Sequence, residues 1–175
     1  DTYWGFRHAL KFEGKRSPFP PLGLLTVSSM LPGSWERRLV DLNVRKLKDS
    51  DIEWADIVLA SAMIVQKDSL ETVVARAKAK GKRVVVGGPY VSTSAEHLPD
   101  ADHIFVGEAE ATLPKFIKDL EAGTLERFYQ ASERPALTET KVSTLASIAV
   151  MVVIAVWVAR KVTDCTRMPG SRKST

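Results

Sequence analysis

The stretch Arg83-Val84-Val85-Val86-Gly87-Gly88-Pro89-Tyr90 decides the fold of this sequence. Its three consecutive valines predict a strand that is buried on both faces. The two glycines that follow remove every β-carbon at the carboxyl end of the strand, which is where open α/β sheets bind their ligands. The glycine pair therefore indicates either the close approach of a ligand or a plain turn before the proline, and this stretch alone leaves both open.

Alternating strands and helices surround this strand. Short apolar runs predict further strands, and apolar positions at helical spacing predict amphipathic helices between them. Such alternation with short links predicts an α/β fold in which helices cover both faces of a parallel sheet. The predicted strands are Arg38–Asn43, Ile57–Ser61 and His103–Val106, and the predicted helices are Leu22–Leu31, Leu70–Ala77 and Leu113–Leu120.

Unusual residues follow three of the predicted strands. The loops read Ser61-Ala62-Met63, Gly87-Gly88-Pro89 and Gly107-Glu108-Ala109-Glu110. Because the carboxyl ends of parallel strands share one edge of a sheet, we expect these three loops to lie together. Their convergence is the functional signal of the sequence.

Composition excludes several classes of function. Five of the 25 basic residues and one of the 21 acidic residues lie in the last sixteen positions, so the rest of the chain is electrically balanced. A balanced domain lacks the basic face of a nucleic-acid-binding protein. The single cysteine, Cys165, excludes an internal disulfide and a cysteine-ligated cluster within one chain. The sequence opens at Asp1 rather than Met, and we expect it to be a piece of something longer.

Five segments together resemble a known family. PPLGLLTVSSMLP, RLVDLN, WADIVLASAM, VVVGGP and VGEAEATLP, in this order and spacing, resemble the amino-terminal cobalamin-binding domain of radical S-adenosylmethionine enzymes. The resemblance covers residues 1 to 144. It implies a flavodoxin-like, Rossmann-like sheet, with cobalamin across the strand ends and its nucleotide tail in a slot beside the sheet.

The resemblance also assigns cobalamin contacts to the three strand-end loops. A hydroxyl can bond the dimethylbenzimidazole or a ring amide, glycines admit a bulky group, and a carboxylate can meet the corrin's amide side chains. The two glutamates also stand where a helix dipole favours acids, and the two roles are compatible. In chain order the residues are Ser61, Ala62 and Met63, then Gly87, Gly88, Pro89 and Tyr90, then Gly107, Glu108 and Glu110.

The sequence departs from the family at three points. The Asp-x-His-x-x-Gly loop through which many cobalamin carriers ligate cobalt is absent, so we expect no protein ligand to the metal and place His8, His97 and His103 at the surface or at strand edges. The family's first strand would precede Asp1, so we expect a gap between the RLVDLN and DIVLAS strands, with two unprotected edges. The Cys-x-x-x-Cys-x-x-Cys motif is also absent, which leaves S-adenosylmethionine and the 4Fe-4S cluster to the intact enzyme.

The resemblance ends near Leu145, where an apolar tail begins. Residues 142–159 are eighteen positions without a charge, about 27 Å long as a helix and close to the minimum for a bilayer span. We therefore predict a cobalamin-binding domain over residues 1–141, an apolar helix over 142–160 that can associate with a membrane, and a basic disordered tail over 161–175. An aberrant terminus is the alternative explanation of the tail.

These observations predict a cytoplasmic cobalamin-binding module of a methyltransferase-type radical S-adenosylmethionine enzyme. In the intact enzyme the resemblance implies that cobalamin relays a methyl group to a substrate carbon. We expect no turnover from this chain alone and assign no catalytic residue and no metal ligand. Two alternatives are a membrane-tethered cobalamin carrier or sensor, and a flavodoxin-like regulatory domain that binds no corrin.

Overall fold

The computed structural model describes residues 22–94, 100–130 and 155–161. Helices and strands alternate along the chain, as the apolar pattern predicts. The helices are α1 (Leu22–Met30), α2 (Asp49–Trp54), α3 (Lys67–Ala79), α4 (Pro89–Ser94) and α5 (Ala109–Ala122). The strands are β1 (Trp35–Asp41), β2 (Ile57–Ser61), β3 (Arg83–Gly87), β4 (His103–Val106), β5 (Phe128–Gln130) and β6 (Ala155–Lys161).

The strands of the described residues form one sheet in the order β1-β6-β2-β3-β4-β5. Neighbours from β2 to β5 pair in parallel. β6 pairs antiparallel with β1 on one side and with β2 on the other, so β1 runs in the same direction as β2 to β5. The carboxyl ends of these five strands therefore share one edge, as the sequence predicts.

Helices cover both faces of the sheet because successive strand residues point to opposite sides. On one face Val58, Val84 and Ile104 join a core with α2, α3 and α4. On the other face Leu59, Val85 and Phe105 join a second core with α1 and α5. This arrangement confirms the predicted α/β architecture with helices on both faces.

A carboxylate at the far edge of the sheet ties α3 to the strands. Asp102 forms an ion pair with Lys78 of α3 and accepts a hydrogen bond of 2.8 Å from the Val84 amide. Burial raises the pKa of the Asp102 carboxyl, but the bonds from Lys78 and Val84 outweigh it and leave that pKa below its ordinary value. The carboxylate thus fixes the start of β3 and of β4, opposite the edge that carries the loops.

The predicted boundaries hold for some elements and not for others. β2 and β4 match their predicted bounds, whereas β1 begins at Trp35 rather than Arg38 and ends at Asp41. α3 and α5 extend beyond the apolar stripes that predict them, and Gly123 ends α5 in the left-handed conformation that suits glycine. The short elements α2, α4 and β5 have no counterpart in the prediction.

The predicted apolar helix over residues 142–160 is wrong for its last part. Residues Ala155–Lys161 form β6, a strand in the middle of the sheet, and residues 142–154 lie outside the described residues. β-Branched side chains favour extended backbone, and here two strand edges are available to pair with it. The expected gap between β1 and β2 is therefore filled. Among the described residues, no helix is long and apolar enough to cross a membrane.

Candidate functional site

A cavity of about 710 Å³ opens at the carboxyl edge of the sheet. One wall is the first turns of α1, and the floor is formed by the ends of β2, β3 and β4. The loops after these strands close the remaining sides. The volume lies within the range of ligand clefts, roughly 300–1,000 Å³. The three loops that the sequence singles out thus border one space.

Seven of the ten predicted site residues line this cavity. They come from all three loops, which the register of β2, β3 and β4 brings to one edge. The seven are Ser61, Gly87, Gly88, Pro89, Gly107, Glu108 and Glu110.

The other three predicted residues stand behind the lining. Ala62 and Tyr90 are buried in the core of the opposite face, and the Tyr90 amide donates a 3.2 Å hydrogen bond to the Ala62 carbonyl. Met63 is half-buried at the start of a 3₁₀ turn. The Tyr90 hydroxyl is buried without a hydrogen-bond partner among the described residues. These residues support the loops rather than border the cavity.

Gly88 is needed where β3 turns into α4. Its φ of +94° is a conformation that side-chain-bearing residues rarely adopt, and an added Cβ would lie 2.3 Å from the Ser61 hydroxyl oxygen. Gly87 is also tight, because a Cβ there would approach the Phe105 Cβ to 3.4 Å. The glycine pair therefore lets the loops after β2 and β3 pack together at the cavity floor.

The loop after β4 brings two carboxylates to the cavity. Gly107 has a φ of +86°, and Glu108 is the residue that precedes the first turn of α5. Glu110 lies within that turn, where the helix dipole favours an acid. The lining among the described residues includes these two carboxylates and no lysine or arginine. Among the described residues, the charged side chains of the cavity wall are therefore both acidic.

Sequence reasoning missed part of the lining. α1 contributes Gly23, Leu24, Thr26 and Val27, and β5 contributes Gln130. Ser92 of α4 also lines the cavity, and its hydroxyl touches two of the loops. The apolar pattern of Leu22–Leu31 predicts the helix itself, but it carries no signal that the helix borders a ligand site.

The described histidine stands away from the cavity. His103 is the first residue of β4, is buried, and packs edge-on against Phe116. Its Nδ1 faces the Glu126 carbonyl oxygen at 2.5 Å. The cavity lies at the other end of β4, about 10 Å along the strand. His8 and His97 lie outside the described residues, and within these residues no cluster of metal-ligating side chains occurs.

Comparison with known proteins agrees with this geometry. Residues 16–117 match the B12 binding domain family. The chain belongs to that family. The matched range includes β1 to β4 and most of α5, and hence the three strand-end loops that border the cavity.

Two relatives of this B12-binding chain carry methyltransferase names. An uncharacterized methyltransferase of Synechocystis sp. is 39% identical over 143 residues, which are 81% of this chain and 27% of that protein. The hopanoid C-2 methylase of Rhodopseudomonas palustris is 36% identical over 108 residues, 61% of this chain and 20% of that protein. The chain thus spans about a quarter of the length of these relatives.

A solved structure gives a weaker match to the B12-binding chain. It is the N-terminal domain of a hypothetical protein of Thermotoga maritima, which is 24% identical and gives a TM-score of 0.39. The match covers 50% of this chain and 74% of the Thermotoga chain. At this TM-score the likeness carries no argument about function.

Proposed function

We propose that this chain binds cobalamin across the carboxyl edge of its sheet, with the nucleotide tail in the 710 Å³ cavity. The observation that carries the proposal is that the loops after β2, β3 and β4 enclose one cavity in a chain of the B12-binding family. Ser61, Gly87 and Gly88 would hold the tail. Glu108 and Glu110 would edge the corrin.

The residues present fit such a group. Gly87 and Gly88 place bare backbone at the cavity floor, so a flat aromatic base can approach the sheet closely. The Ser61 hydroxyl can donate to a ring nitrogen or accept from an amide. Leu24, Val27 and Leu59 supply the apolar surface that a buried base requires.

The charge of the lining favours the binding of cobalamin over that of flavin phosphates, which flavodoxin-like sheets also bind. Carboxylates oppose the phosphate dianion of a flavin mononucleotide more than the singly charged phosphodiester of the cobalamin tail, and they accept hydrogen bonds from the amide groups that surround a corrin. Glu108 and Glu110 border the cavity, and the described lining offers no lysine or arginine to a phosphate. We therefore expect an amide-rich ligand to bind and a flavin mononucleotide to bind poorly.

The whole protein would be a cobalamin-dependent radical S-adenosylmethionine methyltransferase. The methyltransferase names of both relatives support this proposal, as does the family resemblance of the sequence. Bound cobalamin supplies a methyl group that can be transferred between two partners. The residues of this chain would bind and orient the corrin, and S-adenosylmethionine and the 4Fe-4S cluster would be held elsewhere in the intact enzyme.

The test is a titration of the full chain with hydroxocobalamin, followed by absorbance, with flavin mononucleotide titrated in parallel. Saturable cobalamin binding without flavin binding is expected. Because the sequence lacks an Asp-x-His-x-x-Gly loop and His103 lies at the opposite end of β4, we expect no histidine-ligated cobalt in the spectrum between pH 6 and 8. Absence of cobalamin binding, or flavin binding of equal strength, would overturn the proposal.

A substitution in the α1 wall locates the ligand in the cavity. A Cβ at Gly23 would meet nothing within 4 Å, so a side chain can begin there, and Gly23→Phe adds bulk at the lining. Phenylalanine also suits a helix better than glycine does. We expect at least a tenfold loss of affinity, about 1.4 kcal/mol. Gly33→Phe is the matched control, since Gly33 is equally open but lies outside the lining. Equal affinities for both variants would place the ligand elsewhere.

A further inference from the structure

One hydroxyl group joins two of the cavity loops. The Ser92 Oγ lies 3.1 Å from the Gly88 carbonyl oxygen and accepts a hydrogen bond of 3.0 Å from the Gly107 amide. Gly88 belongs to the loop after β3, and Gly107 belongs to the loop after β4. Ser92 itself sits in α4 and lines the cavity.

The hydrogen-bond capacity of serine fits this position. A hydroxyl has one proton to donate and lone pairs to accept with. The Gly88 carbonyl can only accept, and the Gly107 amide can only donate. The Ser92 proton must therefore point to Gly88, while a lone pair receives Gly107. Neither alanine nor any apolar residue could make these two bonds at once.

The sheet itself does not hold these loops together. Pairing between β3 and β4 runs only from Val85 opposite His103 to Val86 opposite Ile104. No further ladder pair joins the two strands beyond that register within the described residues, and the Ser92 hydroxyl links the loops that follow them. Both glycines that it contacts have positive φ, which glycine adopts without strain, so the backbone conformation alone does not fix the distance between their loops.

We propose that Ser92 is a positioning residue for the cobalamin site, an inference that rests on the proposed function. By bonding Gly88 and Gly107 it sets the spacing between the cavity floor and the loop that carries Glu108 and Glu110. Its effect on the ligand is exerted through these loops, and it prepares the site before the ligand arrives. Without the hydroxyl, the loop after β4 is free to move away from the loop after β3.

The test compares Ser92→Ala with Thr93→Ala in the full chain. The Thr93 hydroxyl bonds only carbonyls of its own helix, those of Pro89 and Tyr90, so it is a neighbouring hydroxyl that joins no loops. We expect Ser92→Ala to weaken hydroxocobalamin binding about three- to tenfold, the effect of a lost hydrogen bond. Thr93→Ala should change the affinity less than twofold. Ser92→Thr, whose hydroxyl can still reach the Gly88 carbonyl one turn back, should restore most of the affinity.

A second readout is independent of the ligand. Hydrogen exchange of the Gly107 amide in the free protein should be faster in Ser92→Ala and unchanged in Thr93→Ala. An unchanged exchange rate in Ser92→Ala would contradict the claim that the Ser92 hydroxyl holds the two loops together. Faster exchange with unchanged affinity would overturn the positioning role. If the unsubstituted chain bound no cobalamin, both the proposed function and the role of Ser92 in binding would be wrong. The exchange measurement would still decide whether the hydroxyl joins the two loops.

Discussion

Gly88 and Ser61 depend on each other at the floor of the cavity. The serine hydroxyl occupies the place where a side chain at position 88 would begin, so each residue limits what the other can be. The sequence predicted room for a ligand at Gly88. The structure adds that the missing Cβ makes room for Ser61 as well, which means that any larger residue at 88 disturbs the protein before it meets a ligand.

This contact predicts the effect of Gly88→Ala. The new Cβ would lie 2.3 Å from the Ser61 hydroxyl oxygen, and the alanine backbone would have to keep a strained positive φ. We expect a loss of about 1–3 kcal/mol in unfolding free energy and weaker cobalamin binding. Gly107→Ala is the matched control, because Gly107 shares the positive φ but has nothing within 4 Å of an added Cβ. Urea unfolding of both variants measures the difference, and equal losses would mean that φ strain alone acts at Gly88.

The elements that the sequence predicts well are those held by local pattern. β2 and β4 are short apolar runs bounded by polar residues, and their bounds are confirmed. α4 was missed because Pro89–Ser94 is rich in serine and β-branched residues, which favour helix weakly. The hydrogen bond that the Ser92 hydroxyl accepts from the Gly107 amide joins this helix to a distant part of the chain. Pattern alone could not reveal the three-residue β5, whose Tyr129 is fixed by aromatic packing against Phe116.

The link between α3 and the strands predicts a pH-dependent stability. The pKa of Asp102 is lowered in the folded protein, so its contribution is present above the unfolded pKa of about 3.9 and is lost as pH falls through the folded value. We expect Asp102→Asn to reduce the unfolding free energy by about 1 kcal/mol at pH 7. This difference should shrink steadily below about pH 4. Asp100→Asn, at an exposed position two residues earlier, is the control. A difference that stays constant with pH would contradict the role of the charge.

At the scale of the whole molecule, β6 completes the sheet. The apolar run at residues 142–159 predicts a helix by its length and lack of charge, but no polar stripe marks a face whose period would distinguish helix from strand. The part from Ala155 onward is a strand because the edges of β1 and β2 are both available to pair with it. These edges come from distant parts of the chain, so a local sequence pattern cannot reveal them. Paired with both, β6 removes two edges that would otherwise invite association with other chains. It also places Ala155 beside Ser61, at the cavity edge.

Val158→Pro tests this role of β6. Val158 pairs with Arg38 of β1 and Val58 of β2, and proline cannot donate a hydrogen bond in the middle of a sheet. We expect a loss on the order of 3 kcal/mol in unfolding free energy, faster amide exchange in β1 and β2, and concentration-dependent association. Val158→Ala is the control, because it keeps the backbone bond and should leave exchange in both strands nearly unchanged. If Val158→Pro left the exchange of β1 and β2 unaltered, residues Ala155–Lys161 would not lie between them.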